Sequence, residues 1–142
     1  MNRYMELKHR QQEEFNAFPM KFAYSDKQFA EGMAALGLKP TDTNKIYKAP
    51  GGGFYRRTDS PRLQEMIDRF DRELQDAIAD DKTGDGFIRE MFLHELENHE
   101  YSYTLDAEEA LDELGYTLED IQADERLARG FAMARQAALK EA

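Results

Sequence analysis

Apolar side chains recur at helical spacing through most of this chain, with one short alternating stretch in its first half. Over residues 2–16, Tyr4, Leu7, Gln11 and Phe15 share a stripe, with Met5 beside it, which predicts an amphipathic helix. Phe18-Pro19 ends it, because a residue before proline is pushed out of the helical region. Ser25-Asp26-Lys27-Gln28 reads as a capping box that opens a second helix through Phe29, Met33 and Leu36, stopped at Gly37. Ser60-Pro61 predicts an N-cap with proline in the first helical position. Leu63, Met66, Ile67, Phe70, Leu74 and Ile78 then run over about four turns. After Gly84 and Gly86 the period resumes with Phe87, Ile88, Met91, Phe92 and Leu96, up to about Glu100. Shorter helices are expected over Asp106–Leu114 and, capped by Thr117, over Leu118–Ala123. Asp124 is expected to cap a last helix through Leu127, Phe131 and Leu139.

The alternating part is small. Ile46-Tyr47-Lys48 and Phe54-Tyr55-Arg56 flank Ala49-Pro50-Gly51-Gly52-Gly53, the signature of a β-hairpin, and Lys21–Tyr24 offers a third strand. Together these elements predict one α+β domain over residues 1–142: a small antiparallel sheet packed on a predominantly helical body. With 142 residues, 9 Phe, 7 Tyr and 7 Met, the chain can fill such a core. No apolar run approaches the ~20 residues of a membrane span, and the N-terminus lacks an apolar signal core. A cytoplasmic protein is therefore expected. The absence of cysteine excludes disulfides, thiolate zinc sites and thiol catalysis.

Charge changes the picture most. The net charge is −10, but residues 1–57 hold 10 basic and 6 acidic residues, whereas residues 58–142 hold 9 and 23. From Glu90 to Glu125 there are 13 acidic residues and no Lys or Arg. Such acidity disfavours direct binding of nucleic acid or of an anionic membrane. Glu97, Glu100, Glu108, Glu109, Asp112 and Glu113 are the candidate contacts to a basic protein surface, because spaced carboxylates on helices imitate phosphates and steer cationic partners. The alternative is an acidic face that serves solubility.

Asp81-Lys82-Thr83-Gly84-Asp85-Gly86-Phe87-Ile88 resembles the first eight positions of an EF-hand calcium loop. Asp81, Thr83 and Asp85 would be side-chain ligands, and Phe87 would offer its carbonyl. The twelfth position, where a bidentate Glu belongs, is Phe92, and Arg89 stands at the ninth. Calcium binding here would be weak. The competing reading is an Asp-Gly turn in which Asp81 or Asp85 caps the following helix.

Other chemistry is sparse. His94 and His99 are five residues apart, about 140° around a helix, and so do not form the zinc-protease pair. Glu90, His94 and Glu97 share a face that would hold a divalent ion or simply be solvated, and His99 is expected to be half-buried with a hydrogen-bond partner. The three serines form no nucleophilic triad, and no carboxylate pair stands out for acid–base work, so an enzyme of unrecognised class is a lesser alternative. Gly51-Gly52-Gly53 with Arg56 and Arg57 lacks the P-loop's Lys-Ser/Thr and reads as a hairpin turn, with Tyr55, Arg56 and Arg57 on a basic face.

Several runs together carry a family resemblance: Glu14-Phe15-Asn16-Ala17-Phe18-Pro19, Gly37-Leu38-Lys39-Pro40-Thr41-Asp42-Thr43, Gly51-Gly52-Gly53-Phe54-Tyr55-Arg56, Asp81-Lys82-Thr83-Gly84-Asp85-Gly86-Phe87, and Asn98-His99-Glu100-Tyr101 through Leu114-Gly115-Tyr116-Thr117. Over nearly its whole length the chain resembles an uncharacterised family of small proteins encoded on phages and conjugative elements of gut Gram-positive bacteria. The resemblance implies an accessory role in a mobile element and a bacterial cytoplasm. It assigns no activity and no site residue.

Overall fold

Helical periodicity and strand alternation are both realised in the computed structural model, which describes residues 2–140. In chain order the elements are α1 (Arg3–Asn16), β1 (Lys21–Phe22), α2 (Asp26–Ala35), β2 (Ile46–Ala49), β3 (Gly53–Arg56), α3 (Ser60–Asp80), α4 (Phe87–Asn98), α5 (Tyr101–Thr104), α6 (Glu108–Leu114), α7 (Leu118–Gln122) and α8 (Glu125–Lys140). This is an α+β fold with a helical body and one three-stranded antiparallel sheet of order β1-β3-β2. Among the described residues, no helix is long and apolar enough to cross a membrane. The chain groups into two compact units, Gln11–Asp71 and Met1–Arg10 with Arg72–Ala142. We call them the sheet unit and the helical unit.

In the sheet unit, Tyr47 pairs with Tyr55 and Ala49 with Gly53 across the hairpin, while Lys21 pairs with Phe54. The loop is therefore only Pro50-Gly51-Gly52, shorter than the five residues that composition suggests. Gly51 and Gly52 turn it in the left-handed region, at φ 77° and 83°. The central strand β3 is covered on both faces. Phe54 lies with Met33, Leu36 and Ile46, its ring 5.0 Å from Phe29. Tyr55, on the opposite face, packs with Phe18, Leu63 and Met66. Ser25 caps α2 by accepting from Gln28 N–H at 3.2 Å, and the Gln28 side chain accepts Tyr24 N–H rather than that of Ser25. Ser60 is not an N-cap: its backbone is already helical, and a 3-10 turn over Arg57–Asp59 leads into α3.

The core of the helical unit is made by α4 and α8. Ile88, Met91, Phe92 and Leu96 are essentially inaccessible and meet Leu127, Phe131, Ala134 and Ala138, with Phe92 edge-on to Phe131 at 5.3 Å. Burying each large side chain there contributes about 1.5–3 kcal/mol. Tyr4 and Leu7 of α1 and Ile78 of α3 extend this core. Thr117 and Asp120 form the capping box of α7, and Asp124 caps α8 through Arg126 N–H at 2.9 Å.

Candidate interaction surface

The net charge belongs to one unit. The helical unit's sequence holds 10 basic and 20 acidic residues, whereas the sheet unit holds 9 of each. The split of +4 against −14 between chain halves becomes 0 against −10 between the units, because the acidic N-terminal half of α3 is balanced by the cations of the sheet unit.

Helix α6 organises the acidic surface. Ala110 and Leu111 face the core, so Glu108, Glu109, Asp112 and Glu113 are left exposed. Residues four apart share a flank, which divides the carboxylates into two rows. Glu109 is on the flank that meets α4, its carboxylate 3.5 Å from His99 Nδ1. Glu113 follows it, near enough to Tyr4 for its charge to act on the phenol. Glu108 and Asp112 are on the other flank, beside a cleft of about 410 Å³ whose lining also includes Asp106, Leu111, Tyr116 and Leu118. The six carboxylates anticipated as partner contacts are thus all exposed, and Glu108 and Asp112 share a cleft. Glu97 and Glu100 lie at the far end of α4 and the turn beyond it.

That turn is unusual. Glu100 and Leu105, at φ 57° and 56°, are the two non-glycine residues in the left-handed region among those described, and they bracket the single turn of α5. Such positions cost of order 1–3 kcal/mol and need support from their surroundings. Tyr103, between them, is 87% exposed and Leu105 65% exposed, in the segment that leads to Asp106; Leu118, which lines the cleft, is 57% exposed. Of these three exposed side chains, Leu118 lines the acidic cleft.

Not every acid of the 90–125 stretch is on the surface. Glu95 is 5% exposed, the one buried charged residue among those described. Tyr4 Oη donates to it at 3.4 Å, and the Nε2 atoms of His94 and His99 lie 3.8 and 3.9 Å from its oxygens. Burial, and then the charge and hydrogen bond of Glu95, push the Tyr4 phenol well above its ordinary pKa. His99 is half-buried, as its place beside the apolar stripe suggests, but its Nε2 is buried without a hydrogen-bond partner. Glu90 pairs with Arg3 at 2.7 Å and does not join His94. Among the described residues, no group of three or more His, Asp or Glu is placed to hold a metal ion.

The Asp81–Ile88 turn uses its carboxylates internally. Asp81 Oδ1 accepts the N–H groups of Thr83 and Gly84 at 3.3 and 2.9 Å, and Oδ2 those of Gly86 and Ile88, both at 3.0 Å. Thr83 Oγ1 donates to Asp85. Phe87, whose carbonyl was the fourth candidate ligand, is the first residue of α4 with its side chain in the core. Three arginines surround the turn: Arg89 donates to the Asp85 carbonyl at 3.0 Å, Arg126 to the Ile78 and Asp81 carbonyls, and Arg129 stands 3.7 Å from the Asp85 carboxylate. The arrangement is that of a helix cap.

The sheet unit has a larger cleft, of about 700 Å³, between the start of α2 and the hairpin, lined by Tyr24, Phe29, Lys48 and Phe54 among others. The arginines after the glycines are not directed to a phosphate. Arg56 pairs with Asp59 at 2.8 Å, and Arg57 donates to the Ile46 carbonyl at 3.0 Å with its guanidinium 4.8 Å over Tyr47.

Comparisons with curated proteins and with solved structures return no match. A family of unknown function, DUF7659, matches residues 3–137, and the chain belongs to that family.

Proposed function

We propose that this is a noncatalytic accessory interaction protein whose acidic helices bind a basic protein surface. The observation that carries the reading is the double row of carboxylates on α6, exposed on a unit that bears the whole net charge, in a stretch without Lys or Arg. Like charges at helical neighbour spacing cost a few tenths of a kcal/mol per pair. A cationic partner removes that cost and is drawn in by the field. Carboxylates spaced along helices offer a basic protein what a phosphate backbone offers it, so occupation of a nucleic-acid site on a DNA-handling or host-defence protein is the form of partnership we favour. The resemblance to proteins of phages and conjugative elements supports a mobile-element role in a bacterial cytoplasm.

The test is binding of a labelled Lys/Arg-rich peptide as salt is varied. A variant carrying Glu108→Gln, Glu109→Gln, Asp112→Asn and Glu113→Gln is compared with an equal-charge control carrying Glu31→Gln, Glu65→Gln, Asp68→Asn and Asp71→Asn. The α6 variant is expected to bind about tenfold more weakly and to lose much of its salt dependence, with the control within about twofold of the parent. Equal losses in both would reduce the attraction to bulk charge and overturn the reading.

A further inference from the structure

We infer that the cleft between α6 and the start of α7 is an anchor site for one apolar side chain, such as Phe, Leu or Met, presented between Lys or Arg residues of an incoming segment. The inference rests on the reading above and specifies its partner. The cleft's floor is apolar, with Leu111 and Tyr116 contributing and Leu118 on the lip, and its rim carries Asp106, Glu108 and Asp112. Asp106 is already engaged with Glu108 N–H at 2.9 Å, which leaves Glu108 and Asp112 as the outward acceptors. They are one helical turn apart, about 5–6 Å between Cβ atoms. Side chains of an extended segment alternate in direction, so an apolar residue that enters the cleft shares its face with the cations two positions before and after it, whose long stems can converge on these two carboxylates. A fully hydrophobic ligand would leave the rim carboxylates facing apolar surface, and a purely polar basic segment would leave the floor wet. Only the mixed chemistry satisfies both.

Two probe peptides of equal charge separate this inference from the broader one: Arg-Lys-Phe-Lys-Arg and Arg-Lys-Ser-Lys-Arg. The Phe peptide is expected to bind the parent protein about tenfold more tightly than the Ser peptide. That preference is expected to fall to about twofold or less in Leu118→Ser, with Ser-peptide binding unchanged. In parallel, amide shifts of Leu111, Tyr116 and Leu118 in the unsubstituted protein are expected to move with the Phe peptide and not with the Ser peptide, which keeps the test decisive if Leu118→Ser does not fold. Equal binding of both peptides, weakened by the α6 substitutions and not by the control, would overturn the anchor while leaving the acidic-surface reading standing. Equal binding that the control weakens as much would overturn both.

Discussion

The Asp81 carboxylate accepts the backbone N–H of Ile88 at 3.0 Å, seven residues ahead in the chain. With its three other backbone donors, this one side chain closes the turn between α3 and α4 and supplies the cap that Gly86, standing at the N-cap position, has no side chain to give. Asp81→Ala is expected to lose about 2 kcal/mol of stability in urea unfolding, the cost of a lost cap with partly buried N–H groups left open. Asp85→Ala, at an exposed position, should stay within about 0.5 kcal/mol of the parent. A reversed order would mean that Asp81 does not organise the turn.

The same geometry fixes a pH dependence. Burial works to raise the Asp81 pKa, but the N–H groups of Ile88, Gly84, Gly86 and Thr83 outweigh it and hold the carboxyl below its usual range. A carboxyl whose pKa is depressed on folding adds stability above its unfolded value, near 4, and that stability is lost as pH falls through the lower folded value. The deficit of Asp81→Asn relative to the parent should therefore be constant from neutrality to about pH 5 and shrink below about pH 4. Calcium at millimolar concentration is expected to leave the melting temperature unchanged, because both Asp81 oxygens are turned to backbone donors and three arginines surround the turn. A calcium-dependent rise abolished by Asp85→Ala would support the ion-site reading instead.

What was legible in the sequence, and what was not, follows from the range of the forces involved. The long helices, the hairpin and the caps at Ser25, Thr117 and Asp124 are local: each is decided by residues within a few positions, and periodicity exposes them. The buried state of Glu95 is not local. Its hydrogen-bond donor, Tyr4, is 91 residues away, and on α4 alone Glu95 reads as one more solvated acid. The grouping into two units left no mark either, because its boundaries fall inside α1 and α3 rather than in a Pro/Gly linker. At Asp81, ligand and cap ask for the same residue in the same place, and which backbone N–H groups meet the carboxylate is set by the fold of the turn. On α6 the four acids were visible, but their sorting to two flanks depends on which side of the helix meets α4.

Tyr4 gives a test at the opposite end of the pH scale. Burial comes first among the causes that raise its pKa, followed by the Glu95 charge and hydrogen bond and the charge of Glu113. An unfolded phenol ionises near 10. The neutral phenol therefore adds stability at lower pH, and that stability is lost as pH rises above about 10 toward the folded value. Tyr4→Phe cannot ionise. Near pH 7 it is expected to be about 1 kcal/mol less stable than the parent, for want of the hydrogen bond to Glu95. Above about pH 10 the deficit should close, because only the parent is then pulled toward the unfolded phenolate. A deficit that stays constant across this range would place the phenol in contact with water.

Gly130 lies in the middle of α8, where alanine would favour the helix by about 1 kcal/mol. Propensity alone therefore makes Gly130→Ala a stabilising change. Packing opposes it. A Cβ at this position would stand 2.5 Å from the Gly84 carbonyl oxygen and 2.6 Å from Ile88 Cγ2, so α8 would have to move off both the turn and α4. At Gly84 the conflict is greater: its φ is +90°, and a Cβ would meet the Arg126 carbonyl oxygen at 2.0 Å. Neither oxygen belongs to a side chain that can rotate away. Gly130→Ala is expected to cost about 2 kcal/mol or more in spite of its helix preference, and Gly84→Ala more again. Gly37→Ala, left-handed but facing open space, should lose only about 1 kcal/mol. Thermal melts of the three variants test the order. A Gly130→Ala protein that melts above the parent would show that α8 and the turn are not held at this separation, and the Asp81 cap would then lose the wall of backbone behind it.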